Sequence, residues 1–214
     1  MELEEYLDHT ILYPDSTEEQ VKKVCDEAKE YNFASVCVNP FYASFVREEL
    51  KGTDVKTCVV VGFPLGADLK EVKAQEAKEV VEAGAEEVDM VINIGALKDG
   101  RYDYVREDIE GVVNAVPEEV VVKVIIETCL LSEKEKVKAC ELAEEAGADF
   151  VKTSTGFSDA GAKLEDVKLM RETVGEEMGV KAAGGIKTRK DAEAMIEAGA
   201  TRIGASSSVQ IVES

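Results

Sequence analysis

The pattern Glu-Ala-Gly-Ala occurs three times, and each time a short apolar strand follows. Glu82-Ala83-Gly84-Ala85 leads into Glu87-Val88-Asp89-Met90-Val91-Ile92, Glu145-Ala146-Gly147-Ala148 into Phe150-Val151-Lys152, and Glu197-Ala198-Gly199-Ala200 into Arg202-Ile203-Gly204. Each reads as a helix end, a glycine in the left-handed position beyond it, and a strand. The glycines lie 63 and 52 residues apart, which leaves room for two helix–strand units in each interval.

The remaining apolar runs fill out the series. Strands are expected at Leu7–Leu12, Phe33–Val38, Val55–Val61, Val120–Ile126 and Val180–Ala182. Helices are expected from a Ser16 N-cap with Glu19 in the capping-box position to about Tyr31, over Tyr42–Leu50, over 68–82 and over Leu164–Glu177. Eight strands in 214 residues give units of about 27 residues. Short, wholly apolar strands suit a parallel sheet buried on both faces. The strict alternation points to an α/β fold, an eight-stranded parallel (β/α)8 TIM barrel, in preference to an open doubly wound sheet. No Pro/Gly/Ser-rich linker interrupts residues 1–214, so one domain is expected.

Composition narrows the function. The net charge of −20 argues against nucleic acid as a partner and means that any anionic substrate must be attracted locally. The 25 basic residues speak against a strong halophile. No apolar run approaches the length of a membrane span, and the N-terminus lacks the basic and apolar parts of a signal peptide. Five scattered cysteines without a CxxC pair read as free thiols in a cytoplasmic protein. One histidine, His9, is too few for a zinc site, and at a strand end it reads as a hydrogen-bonded structural residue. No metal or other cofactor is expected.

In such a barrel, reactive groups sit at the C-terminal ends of strands. The polar residues there are Asp8, Thr10, Cys37, Asn39, Asp89, Asn93, Lys123, Glu127, Lys152, Thr153, Lys181, Ser206 and Ser207. Lys152 and Lys181 fall on neighbouring strands. Two close cations disfavour each other's charged form, and burial pushes the same way, so both are expected to shift towards the neutral amine. Lys123 on the fifth strand adds to the effect, and Asp89 on the fourth supplies a carboxylate that can move protons or neutralise one ammonium. A neutral lysine attacks carbonyls to form a Schiff base. A buried ion-pair network that only ties strands together is the competing account. After strands seven and eight come Ala183-Gly184-Gly185-Ile186-Lys187 and Gly204-Ala205-Ser206-Ser207-Ser208. These suit a phosphate held by backbone N–H groups, the hydroxyls of Ser206 and Ser207 and the charge of Lys187, with Gly156 adding another N–H.

In order, Leu7-Asp8-His9-Thr10-Ile11-Leu12, Val36-Cys37-Val38-Asn39-Pro40, Val61-Gly62-Phe63-Pro64-Leu65-Gly66, Glu87-Val88-Asp89-Met90-Val91, Lys123-Val124-Ile125-Ile126-Glu127-Thr128, Val151-Lys152-Thr153-Ser154-Thr155-Gly156, Lys181-Ala182-Ala183-Gly184-Gly185-Ile186 and Ile203-Gly204-Ala205-Ser206-Ser207 resemble the 2-deoxyribose-5-phosphate aldolase family over nearly the whole length. The resemblance implies a class I aldolase that cleaves 2-deoxy-D-ribose 5-phosphate to D-glyceraldehyde 3-phosphate and acetaldehyde in deoxyribonucleoside catabolism. It implies Lys152 as the Schiff-base lysine, Lys181 as the lysine that lowers its pKa, and Asp89 in a proton relay through water. Asp8 and Thr10 match the sugar-hydroxyl end, Gly184, Gly185, Ser206 and Ser207 the phosphate cradle, and a homodimer or homotetramer is implied. Three departures stand out. Phe157 and Tyr13 replace lysines of other members, which implies weaker charge-based phosphate binding. The chain ends at Ser214 without the terminal tyrosine that aids proton transfer in some members. Other readings remain open at this point: another Schiff-base phosphosugar aldolase on the same fold, a non-catalytic sugar-phosphate-binding barrel, or a phosphosugar isomerase using Asp89 as base.

Overall fold

Eight parallel strands, each paired with the next and the eighth with the first, close a barrel in the computed structural model, which describes residues 2–214. The strands are β1 Leu7–Ile11, β2 Ser35–Val38, β3 Lys56–Val61, β4 Glu87–Val91, β5 Val121–Ile125, β6 Phe150–Lys152, β7 Gly179–Ala183 and β8 Arg202–Ala205. The helices are α1 Glu18–Tyr31, α2 Ala43–Glu49, α3 Lys70–Glu82, α4 Ile94–Lys98, α5 Tyr102–Ala115, α6 Glu133–Glu145, α7 Leu164–Val174, α8 Arg189–Glu197 and α9 Ser208–Glu213. Among the described residues no helix is long and apolar enough to cross a membrane.

The strand period explains the layering. Val36, Val38, Val59, Val61, Val88, Met90, Val122, Val124, Val151, Val180 and Ile203 alternate along their strands and join the buried helix faces in one apolar layer outside the barrel. Their neighbours in sequence point the other way, into the barrel. There the residues are largely polar or charged, so the main hydrophobic core is the annulus between sheet and helices.

The three repeated glycines sit two residues past a helix end, just beyond the capping alanine, with positive φ of 111° (Gly84), 79° (Gly147) and 111° (Gly199), which lets the chain turn back into a strand. Helix ends differ from expectation in two places. The cap of α1 is Thr17, with Gln20 closing the capping box, where Ser16 and Glu19 were expected. Both frames satisfy the motif, but the Ser16 N–H is committed to the Tyr13 carbonyl at 3.1 Å, which closes the Pro14–Asp15 turn first. Helix α7 stops at Val174, short of Glu177, because Gly175 adopts φ 67° and Arg171 ties down the carbonyls of Gly175 and Met178. Helices α4, α5 and α9 were not expected. Asn93 caps α4 through the Ala96 N–H at 3.0 Å, and α5 buries Val105, Ile109 and Val112 at helical spacing.

Helices α3 and α5 share a fully buried ion pair. Lys73 Nζ lies 2.6 Å from Asp108 Oδ2 and donates to the Val91 carbonyl at 2.9 Å. Burial holds the lysine below and the aspartate above its ordinary pKa, against the attraction between them. Replacing one partner strands the other. Lys73→Met is expected to cost about 3–5 kcal/mol, and Lys73→Met with Asp108→Leu distinctly less, as read from denaturant midpoints.

Candidate active site

The inward-facing charged residues form a closed ring of ion pairs across the barrel. Asp8 on β1 contacts Lys181 on β7, and Lys181 reaches Asp89 on β4 at 2.7 Å. Asp89 contacts Lys123 on β5 at 2.9 Å, and Lys123 contacts Glu87 on β4 at 2.5 Å. Arg202 on β8 closes the circuit, 3.1 Å from Glu87 and 2.7 Å from Asp8. Carboxylates Asp8, Glu87 and Asp89 thus alternate with cations Lys123, Lys181 and Arg202. Lys152 on β6 stands outside this circuit, with Nζ 2.7 Å from Asp89 Oδ2, the same oxygen that Lys181 contacts. Register explains the meeting: Lys152 pairs with Lys181, and Asp89 with Lys123, as direct neighbours on adjacent strands.

Burial would by itself raise Asp89, but Lys123, Lys152 and Lys181 together outweigh it and hold the carboxyl well below the usual range. Asp8 is likewise held down, by Lys181 and Arg202 acting against burial. Lys181 corrects the expectation that both neighbouring lysines move towards neutrality. Burial pushes it down, but Asp8 and Asp89 overcome this and hold it above the ordinary lysine value. Lys123 is held up in the same way, chiefly by Asp89. The sequence reading allowed Asp89 to neutralise one ammonium but did not bring Asp8 to Lys181 as a second acid.

Above the ring lies a cavity of about 280 Å³ at the C-terminal mouth of the barrel. Lys152 forms its floor. Thr10, Gly156, Gly184, Gly185, Lys187, Ser206 and Ser207 line it with Lys152. Gly184 and Gly185 have φ of 87° and 81°, and a Cβ on Gly184 would lie 2.9 Å from the Gly161 Cα, so the loops after β6 and β7 need glycine where they touch. Phe157 and Tyr13 form an aromatic rim, with ring centres 6.3 Å apart, and Phe63 stands edge-on to Phe157 at 5.3 Å.

Two expected substrate contacts lie elsewhere. Asp8 and Lys123 are fully buried in the ring beneath the cavity and do not line it. Both sit mid-strand, one step deeper than the mouth, and their polar atoms are committed to ring partners. Cys37 is buried against Cys58, Val60 and Leu12. Asn39 donates to the Leu12 carbonyl, and Thr153 bonds to Ala183. His9 faces outwards, 2.7 Å from Glu27.

The sequence reading missed Glu87 and Arg202. The available signal was a second charge two residues from Asp89 in one strand, and an arginine two residues before Gly204 in another, since period 2 puts each pair on one face. Two sets of ligand atoms come close enough to hold a metal: Cys37 with Cys58 and Asp89, and Asp8 with Cys58 and Glu87. Every carboxylate in them already pairs with lysine or arginine, so an ion there would have to displace a bound cation.

A family model described as DeoC/LacD family aldolase matches residues 4–212. A deoxyribose-phosphate aldolase of Clostridium tetani is 69% identical, covering 100% of this chain and 99% of that protein. One of Enterococcus faecalis is 65% identical over 99% of this chain and 96% of its own. Among solved structures, the tetrameric deoxyribose phosphate aldolase of Aeropyrum pernix superposes with a TM-score of 0.92 at 38% identity, covering 99% of this chain and 89% of that one.

The ring sets a pH window for stability. Depressed carboxyls contribute fully above about pH 4 and lose that contribution as pH falls through their folded values, whereas raised lysines contribute fully below about pH 10 and lose it as pH rises through theirs. Asp8→Asn should therefore destabilise by about 3–5 kcal/mol at pH 7. Its deficit relative to the native chain should shrink below about pH 4, as followed by denaturant melts at pH 7 and pH 3.

Proposed function

The chain belongs to the DeoC/LacD family of aldolases, and from that membership we propose that it is a metal-independent class I deoxyribose-phosphate aldolase working through a Schiff base on Lys152. It cleaves 2-deoxy-D-ribose 5-phosphate reversibly to D-glyceraldehyde 3-phosphate and acetaldehyde, in the cytoplasmic breakdown of deoxyribonucleosides. The observation that carries the site assignment is the position of Lys152. Of the three lysines that contact Asp89 it is the one outside the closed ring and the one that lines the cavity.

The ring places an amine beside a fixed charge. Lys152 stands next to this set of three carboxylates and three cations and shares Asp89 Oδ2 with Lys181 at the edge of the cavity. Lys181, held above the ordinary lysine value by Asp8 and Asp89, is the fixed cation beside it. As the neutral amine, Lys152 attacks the open-chain aldehyde carbon, and loss of water leaves the iminium. The iminium at C1 withdraws electrons from the bond between the sugar's C2 and C3, which become the C1–C2 double bond of an enamine as the iminium nitrogen takes up its electron pair. As the sugar's 3-hydroxyl gives up its proton, the C2–C3 bond breaks, glyceraldehyde 3-phosphate departs, and an enamine of acetaldehyde stays on Lys152. Protonation of the enamine carbon and hydrolysis release acetaldehyde. Asp89 Oδ2, which touches both lysines, is the carboxylate from which a cavity water can relay these protons.

The phosphate end fits the wall formed by Gly156, Gly184, Gly185, Ser206 and Ser207, where Lys187 supplies a local charge against the −20 of the whole chain. Thr10, on β1, lines the same cavity and is assigned to the sugar hydroxyls. Asp8 and Lys123 act from below, by holding Lys181 and Asp89 in place. The tetrameric Aeropyrum pernix relative supports a homo-oligomer as the working form.

Incubation with acetaldehyde, reduction with borohydride and peptide mass spectrometry should place a stable adduct on Lys152. Lys152→Ala should abolish the adduct and cut turnover by at least about a thousandfold. Lys181→Leu should trap far more slowly at neutral pH. An isomerase using Asp89 as base would instead retain substantial activity in Lys152→Arg, and a sugar-phosphate sensor would trap no carbonyl.

A further inference from the structure

Glu127 lies two residues beyond β5 and is one of two non-glycine residues with positive φ, at 54°. Such backbone is held only where the surroundings over-determine it, and it gathers at functional sites. The side chain is buried, yet no lysine or arginine pairs with it among the described residues. Its carboxylate instead accepts chiefly from Thr155, with the Cys129 thiol 3.9 Å from Oε1 as a longer contact. The Thr155 N–H donates to Oε1 and Oε2 at 3.4 and 3.3 Å, and the Thr155 hydroxyl makes a short bond to Oε2. The same hydroxyl oxygen accepts the Phe157 N–H at 3.0 Å. One buried acid thus fixes the backbone on both sides of Gly156, a residue that lines the cavity beside Gly184 and Gly185.

We propose that Glu127 is a positioning residue for the reaction: by latching Thr155 and, through its hydroxyl, Phe157, it sets the Gly156 segment of the cavity wall that receives the phosphate end of the substrate. This rests on the aldolase reading of the site. The left-handed turn aims the carboxylate across at the next strand's loop, and the β5–β6 pairing brings the two within reach, with the Ile126 N–H on the Lys152 carbonyl at 3.0 Å and the Thr128 N–H on the Thr153 carbonyl at 2.9 Å. An acid is suited to this role because a carboxylate accepts from both the N–H and the hydroxyl of Thr155 without having to donate. Among the described residues the Gly156 N–H has no intramolecular partner, whereas its neighbours at 155 and 157 do. Glu127 is not placed to touch the reacting carbon, so its effect belongs to binding at the far end of the substrate.

The test compares substrates with and without a phosphate. In Glu127→Gln, KM for 2-deoxyribose 5-phosphate should rise about tenfold, the loss of one charge-assisted hydrogen bond, with kcat little changed. The kcat/KM for unphosphorylated 2-deoxyribose and the rate of borohydride trapping of acetaldehyde on Lys152 should stay within about twofold of the native chain. Thr155→Val should give the same split and carries the test if Glu127→Gln does not fold, and the double variant should be no worse than the poorer single one. Equal losses on both sugars, slower acetaldehyde trapping, or unchanged kinetics throughout would each overturn the assignment. Failure of the native chain to trap acetaldehyde would sink the aldolase reading itself, which keeps the two outcomes apart.

Discussion

One carboxylate, Asp89, sits within 2.9 Å of three lysine side-chain nitrogens from three different strands. Buried charges survive only when paired and hydrogen-bonded, so this acid dictates where Lys123, Lys152 and Lys181 can be. It also links the structural and reactive halves of the barrel. Its Oδ1 faces the ring cation Lys123, and its Oδ2 faces Lys152 and Lys181 at the cavity floor. Neutralising it would leave several buried cations without compensation at once.

The barrel makes that arrangement possible because its apolar core lies outside it. Valines on alternate strand positions pack against the helices, which leaves the inward positions free to carry charge. A parallel sheet closed on itself has no edge, so the interior is shielded from water and the ion pairs act at short range in a poorly polarisable setting. The charge ring lies one step below the mouth. It holds Lys181 charged beside Lys152, the lysine on Asp89 that opens onto the cavity. Above it, the glycine loops after β6 and β7 approach closely enough to form a wall, and Glu127 ties one of them to the end of β5.

How far the sequence could be read depends on the range of each interaction. The strand count, the strand order and the left-handed glycines follow from local patterning, and the structure differs in helices: Thr17 competes with Ser16 as cap, Gly175 cuts α7 short, and α4, α5 and α9 are added. Lys152, Gly156, Gly184, Gly185, Ser206 and Ser207 were picked out because strand ends and the turns after them are visible in sequence, and they do line one cavity. Asp8 and Lys123 were placed too high, because depth within a barrel depends on the stagger between strands.

The chain by itself determined the (β/α)8 architecture, because each helix–strand unit is specified by its own periodicity and its own glycine. It also determined which residue types crowd the strand ends. What only the tertiary structure decided is how those residues pair. Asp8 and Arg202 are 194 positions apart and Asp89 and Lys181 are 92 apart, yet both pairs are in contact. Whether a lysine gains or loses its proton on burial turns on which acids lie within a few ångströms, and closure of the eighth strand onto the first is what brings Asp8 and Arg202 together.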